Sequence, residues 1–392
     1  MRARLALALS AALALAGPAG CSRTIIVEPA PAVRYGGAPA LEHARSLART
    51  VETIARGTGN KGRQWAAERR AEELGLGRFT RVEWIDWWTP QKNVIVELPP
   101  GPALVAATGT AAIACPATST SSGTGTGATA TADVVTETAR IVYVLAHYDK
   151  IDLQPLAAVS RIFLDVLEPL LSWSYTSSGA VDNGTGCAVV LEMALEVARR
   201  PRKDRYRFIM FGSEESGLRG SRCYVAGLDP AEVARVRLAV NVDSVGIVDA
   251  PNGVVDDERE DPELVDAAAA IARRRGFDLR RWSLPRWLAS SDDDPFWATS
   301  FPIDLLRGLA FNLGGALLPQ RSWFTGLKHM PTVSFASPDC FDWTDIVGGL
   351  IGLPIGTIHG PRDRCSRVDP WRLYEQFEVV RELTEEGAAQ AP

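Results

Sequence analysis

The chain has 392 residues, 46% hydrophobic and 23% charged, so it carries enough apolar material for a large buried core. Its 42 Lys and Arg against 47 Asp and Glu give a net charge of −5, and with no long basic run the sequence argues against a nucleic-acid partner. Six cysteines without paired CxxC spacing argue against a Cys-based metal cluster, and the composition excludes collagen-like, disordered and multispan membrane chains.

In chain order, Arg2 and Arg4 precede a mostly apolar run over 5–16 and a small-residue exit, Gly17-Pro18-Ala19-Gly20-Cys21. This pattern reads as a signal peptide over 1–20, whose apolar run of 12 residues is too short to span a bilayer permanently, which needs about 20 residues. The small residues before Cys21 are similar to a bacterial lipoprotein processing site, although Pro18 stands where such sites usually carry Leu. Lipidation of Cys21 would tether the chain to a membrane it does not cross; plain secretion is the alternative. The expected location is therefore the cell envelope, as a membrane-anchored lipoprotein or a periplasmic or secreted protein. Residues 21–40, rich in Pro, Ala and Gly, read as a tether. The main domain is expected over 41–386.

Helical periodicity is predicted over 42–56 and 63–74, followed by strands at 80–87 and 93–98. A low-complexity loop spans 104–135, and within it every residue of 117–132 is Ala, Thr, Ser or Gly. Such a segment buries too little apolar area to offset its ordering entropy. Strands are then predicted at 141–146, 207–211, 238–242 and 332–335, with helices at 186–199, 230–236 and 262–275. Near-continuous apolar strands alternating with helices predict an α/β fold, a three-layer α/β/α sandwich around a mixed, mostly parallel sheet. Two apolar inserts, 150–178 and 299–328, interrupt the pattern. The first carries an amphipathic surface helix over 159–172, and Asp304, Arg307, a Gly pair and Pro319 argue against a span in the second. Export permits disulfides, and Cys340 with Cys365 is the favoured pair, reduced cysteines being the alternative.

The chemistry-bearing residues cluster in five motifs. His147-Tyr148-Asp149 closes the 141–146 strand, where residues i and i+2 share a side, so His147 can ligate a metal while Asp149 holds its other ring nitrogen. Asp182 lies in the Gly-rich turn Gly179-Ala180-Val181-Asp182-Asn183-Gly184-Thr185-Gly186. Glu214-Glu215 follows the 207–211 strand, and adjacent side chains diverge, so one carboxylate can ligate while the other does acid/base work. Asp243 follows Asn241-Val242, and His359 opens His359-Gly360-Pro361-Arg362-Asp363. Each motif alone is weak, but in open α/β sheets functional residues gather at the carboxyl ends of strands, where four of these are expected. Two imidazoles and three carboxylates (Asp182, Glu215, Asp243) suit two Zn2+ ions, whose charge balances the carboxylates and one hydroxide.

Taken together, and in this order, the motifs resemble the bacterial aminopeptidase family of co-catalytic di-zinc exopeptidases, whose relatives include glutamate carboxypeptidase, the transferrin-receptor ectodomain and glutaminyl cyclase. The resemblance covers about 93–369. It implies that His147 and Asp243 hold one zinc, Glu215 and His359 the other, and Asp182 bridges them. It further implies Glu214 as general base and Asp149 as the partner of His147. The implied function is hydrolysis of a peptide substrate by zinc-activated water, with release of N-terminal residues. Ser291-Asp292-Asp293-Asp294 resembles the family's Ser-Asp-His motif but has Asp293 where His is common, so local substrate contacts are not inherited. The alternatives are a carboxypeptidase or dipeptidase with the same ligands, a mono-zinc glutaminyl-cyclase-like enzyme, and a non-catalytic binding ectodomain. His43 and His329 have no ligand-like context, Trp84, Trp87 and Trp88 read as core or edge packing, and Arg362 suits a substrate carboxylate or a salt bridge.

Overall fold

The computed structural model describes residues 24–86, 89–104, 138–150, 177–257, 260–283, 291–297, 329–340, 344, 357–360 and 362–386. The expected signal peptide, Cys21 and nearly all of the low-complexity loop and of both inserts lie outside these residues. Among the described residues no helix is long and apolar enough to cross a membrane.

Among the described residues eight strands form one sheet: β1 (Thr80–Trp84), β2 (Lys92–Leu98), β3 (Ile141–His147), β4 (Arg205–Phe211), β5 (Val236–Val242), β6 (Asn252–Val255), β7 (Leu279–Trp282) and β8 (Thr332–Phe335). Their order is β1-β2-β4-β3-β5-β8-β6-β7. The central run β4-β3-β5-β8 is parallel, while β1 and β2 join antiparallel at one side and β6 pairs antiparallel with β8 at the other. The mixed, mostly parallel expectation holds. Parallel central strands must be apolar on both faces, and they are. In β3, Val142, Val144 and Ala146 enter one core while Ile141, Tyr143 and Leu145 enter the other.

The first core is covered by α1 (Ala38–Ala55), α3 (Gly186–Ala198), α5 (Pro262–Arg275) and α6 (Pro370–Glu386), with α2 (Gly59–Glu73) packed beside α1. The second is covered by α4 (Arg219–Ala226), the short turn Pro230–Val233 and Phe296. Local signals set the helix ends. At α5, Asp261 caps the Glu263 N–H, Pro262 occupies the first turn, and Gly276 closes the helix in the left-handed region.

Three expectations need correction. Residues 24–37, read as tether, pack on the body: Ile25 and Ala32 are buried, and the Tyr35 ring stacks on Trp371 at 5.1 Å. Their few apolar side chains find partners on α1 and α6 that composition does not reveal. Cys365 is disulfide-bonded, but not to Cys340, which keeps its thiol after β8; pairing follows spatial separation, which proximity to a motif does not set. Trp84 is 70% exposed on β1, with Lys92 of the paired strand over its ring, because β1 is the edge strand among the described residues. Trp87 and Trp88 lie outside the described residues.

The parallel centre delivers the carboxyl ends of β3, β4 and β5 to one edge, and α3 starts against that edge. A Cβ at Gly186, the first residue of α3, would overlap the Val242 carbonyl at the end of β5. Gly186→Ala is therefore expected to cost about 1–3 kcal/mol, as overpacking does. Urea denaturation of the metal-stripped chain measures this, and an unchanged midpoint would mean the helix is not seated there.

Candidate metal centre

His147 is the last residue of β3, and its ring is buried. Glu214 and Glu215 sit in the turn after β4. Asp243 directly follows β5, its N–H donating to the Phe335 carbonyl of β8 at 2.8 Å. Asp182 does not follow a described strand; it lies in the irregular Ala180–Thr185 turn that leads into α3. His359 lies in the segment before α6. The structure brings all five expected ligands and Glu214 together. Among the described residues two groups of three donors each lie with their ligand atoms within 4.8 Å of one another: His147, Glu214 and Asp243, and Asp182, Glu215 and His359.

Asp182 joins the groups. Its Oδ1 is 3.1 Å from Nε2 of His147, and its Oδ2 is 3.1 Å from Nε2 of His359. His147 Nε2 is also 3.5 Å from Asp243 Oδ1, and His359 Nε2 is 3.6 Å from Glu215 Oε2. Donors about 2.1 Å from a tetrahedral zinc stand about 3.4 Å apart, so these separations fit two ions sharing one carboxylate. The electrostatics point the same way. Burial pushes the His147 pKa down, but Glu214, Asp243, Asp149 and Asp182 outweigh it and raise the net value well above the ordinary range. Burial likewise pushes Asp182 up, yet the hydrogen bonds from both imidazoles outweigh it and hold it ionised. Burial raises Glu214 well above the usual carboxylate range, with Glu215, Asp292 and Asp243 adding to the rise against His147. These donors create a demand for positive charge in a place with little water to supply it.

Asp149 stands where expected, 3.5 Å from Nδ1 of His147, but its carboxylate does more than orient the ring. It accepts the backbone N–H of Glu214 at 3.1 Å and of Glu215 at 3.2 Å. Asp363 makes the mirror arrangement: its Oδ1 accepts the N–H of Val181 at 2.7 Å and of Asp182 at 3.4 Å, and its Oδ2 accepts from Ser177 Oγ. Each histidine segment therefore brings an aspartate that fixes a loop carrying other ligands.

The sequence marks Asp363 only by its place in the His359 motif, four residues on, which does not announce this task. Nor does it mark the task of Asn183, whose amide donates to the Val242 carbonyl at 2.9 Å and accepts from the N–H of Gly186 at 2.8 Å, tying the Asp182 turn to β5 and α3. Ser291 stands out in the sequence only through the resemblance of its motif. Its hydroxyl donates to Asp243 Oδ2 at 2.7 Å and accepts from Asn241 Nδ2 at 2.9 Å. His43 is not a ligand candidate: its Nδ1 faces Glu192 at 2.7 Å on α3. His329 packs edge-on against Trp297.

The family model of the M28 peptidases matches residues 130–309. That stretch is similar to family M28. Aminopeptidase YwaD of Bacillus subtilis is 39% identical over 106 residues, a stretch that makes up 27% of this chain and 18% of that protein. The chain thus spans less than a fifth of the length of that curated relative. A glutaminyl cyclase from an Acidobacteriales bacterium has a TM-score of 0.56 at 13% identity, covering 89% of this chain and 95% of that one. The LapA aminopeptidase of Legionella pneumophila has a TM-score of 0.54 at 14% identity, covering 95% of this chain and 78% of that one. Both likenesses speak to the fold alone, and both agree with the α/β architecture described above.

Asp292 adds a buried acid beside the candidate metal centre. Burial, then Asp149 and Asp243, raise its pKa to about 8 against the pull of His147 and Ser221. A carboxyl whose folded pKa lies above its unfolded one contributes stability that is complete below the unfolded value and is lost as pH rises through the folded value. In chelator, Asp292→Asn is therefore expected to raise the melting temperature relative to wild type at pH 8, with the gain shrinking towards pH 4. Calorimetry across that range checks it; a gain independent of pH would mean that Asp292 ionisation is not the source.

Proposed function

We propose that the chain is an exported metallopeptidase that binds two zinc ions and hydrolyses peptide bonds, releasing N-terminal residues. The observation carrying this reading is the shared carboxylate: Asp182 faces His147 with one oxygen and His359 with the other, while Asp243 and Glu215 complete the two groups. The donor set of two imidazoles and three carboxylates suits zinc. His147 and Asp243 would hold one ion, Glu215 and His359 the other, and Asp182 both. When bound, such ions lower the pKa of water towards neutrality and polarise a substrate carbonyl.

The chain's own residues supply the rest. Glu214 takes the proton of the attacking water and passes it to the departing amine, the task of a general base that becomes a general acid. Burial and neighbouring carboxylates raise its affinity for a proton, which suits it to hold one between the two steps. Asp149 keeps the Glu214–Glu215 backbone in place, so that Glu215 turns to His359 while Glu214 stays with His147 and Asp243. Release of N-terminal residues follows the curated aminopeptidase relative and the resemblance of the motifs. Export, with lipidation at Cys21 as tether to the cell envelope, follows from the basic start, the short apolar run and the small residues before that cysteine.

The fold likeness to a glutaminyl cyclase favours one other reading, a mono-zinc enzyme. The two donor groups support two ions, and metal counting separates the readings. Elemental analysis is expected to give two zinc per chain, and chelation to abolish hydrolysis of an aminoacyl reporter until zinc is returned; one ion per chain, or activity insensitive to chelator, would defeat the proposal. Glu214→Gln is expected to keep both ions and lose about 10²–10⁴-fold in kcat. A metal-loaded Glu214→Gln enzyme with near-normal turnover would remove Glu214 from the base role.

A further inference from the structure

Arg63 is completely buried, the largest side chain among the described residues to be so, and it lies on α2, outside the stretch matched by the family model. Its guanidinium spends its donors on three backbone carbonyls. Nε donates to Tyr148, Nη1 donates to Ser178 at 2.7 Å, and Nη2 donates to Gly179 at 2.9 Å. Tyr148 directly follows His147, and Gly179 precedes Asp182 by three residues. One planar fork therefore ties the backbone of the first histidine to that of the shared aspartate.

Neighbouring residues extend this clamp. Asn60, one turn earlier on α2, donates to the Lys150 carbonyl at 3.3 Å and accepts the Lys150 N–H at 3.0 Å. Lys150 Nζ donates to the Ser177 carbonyl at 2.8 Å. Gly179 has a φ of 63°, and a Cβ there would overlap the guanidinium, so the loop is shaped around the arginine. A lysine would keep the charge but carries a single nitrogen on a flexible stem, and cannot reproduce the rigid fork.

We propose that Arg63 is a positioning residue of the metal centre, setting the separation of His147 and Asp182 by holding both of their backbones. This rests on the two-zinc reading above. A fork that only filled space would stabilise the fold without bearing on ligand spacing, whereas a positioning fork acts on metal affinity beyond its effect on folding.

The test is zinc affinity of the full-length chain, measured by competition with a chromophoric chelator, together with the unfolding midpoint of each variant in chelator. Arg63→Lys is expected to weaken zinc binding about 10–100-fold, the usual consequence of losing a residue that supports a ligand. Arg70→Lys is the control: it lies on the same helix, is buried, and bonds to Thr50, Ser46 and Glu73 away from the ligands. It is expected to lower the midpoint in chelator while leaving zinc affinity at the wild-type value. Equal zinc affinity in Arg63→Lys and wild type, or an equal loss in both arginine variants, would overturn the assignment while leaving the two-zinc reading standing. A wild-type chain that takes up no zinc would overturn that reading and this assignment with it. Should Arg63→Lys fail to fold, Asn60→Ala decides, being expected to weaken zinc affinity in the same direction; an unchanged value would overturn the clamp.

Discussion

Carboxylates repel one another, and repulsion grows as water is removed; bringing Asp182, Glu214, Glu215 and Asp243 together at one sheet edge is the constraint around which this molecule is arranged. Two imidazoles answer part of it by donating to Asp182 and facing Asp243 and Glu215. The remainder is a concentration of negative potential among buried and half-buried groups, where unpaired charge costs most. A side chain left to itself would rotate away. These cannot, because the backbones that carry them are pinned.

The pinning is reciprocal. Asp149, two residues beyond His147, accepts the N–H groups of the Glu214–Glu215 turn, and Asp363, four beyond His359, accepts those of Val181 and Asp182. Both aspartates are buried and both accept from backbone, so their own charge is compensated by fixed dipoles instead of mobile solvent. A shift of either histidine segment would disturb ligands on another loop. Cys187 adds a smaller tie of the same sense, its thiol donating to the His147 carbonyl from the first turn of α3. The parallel centre of the sheet makes this economical, since β3, β4 and β5 all end at the same edge and only the Asp182 turn and the His359 segment must be brought to it.

What was legible in the sequence follows from this division. Strands β3, β5 and β8 read as strands because both their faces are buried, leaving uninterrupted apolar runs such as Ile141-Val142-Tyr143-Val144-Leu145-Ala146. The ligands read as ligands because metal chemistry restricts residue types at turn positions. Strands β6 and β7 did not: Asn252-Gly253-Val254-Val255 is short and carries a glycine, and Leu279-Arg280-Arg281-Trp282 lies at the sheet edge with its arginines exposed. Helix α6 was masked by charge, since its buried stripe of Leu373, Phe377, Val380 and Leu383 alternates with ion-paired Arg381 and Glu385. The packed segment 24–37 was hidden for a related reason. Its few apolar residues are stabilised by long-range partners, as when Trp371 Nε1 donates to the Glu28 carbonyl, and no local periodicity encodes that.

The same reasoning explains why a match over residues 130–309 does not by itself delimit the unit that builds the centre. His359 and Asp363 lie beyond its end, while Asn60 and Arg63 lie before its start. Without the 357–363 segment, Asp182 would lose one imidazole and its turn would lose the carboxylate that accepts its N–H groups. Without α2, the carbonyls of Tyr148 and Ser178 would lose their Arg63 donor, at a cost of about 1–3 kcal/mol each, while that of Gly179 would keep only the Gly184 N–H. The family stretch supplies most of the chemistry-bearing side chains. Their spacing is fixed from outside it, by an N-terminal helix whose polar sequence gives no sign that its arginine reaches the interior, and by a late segment that closes the ligand set.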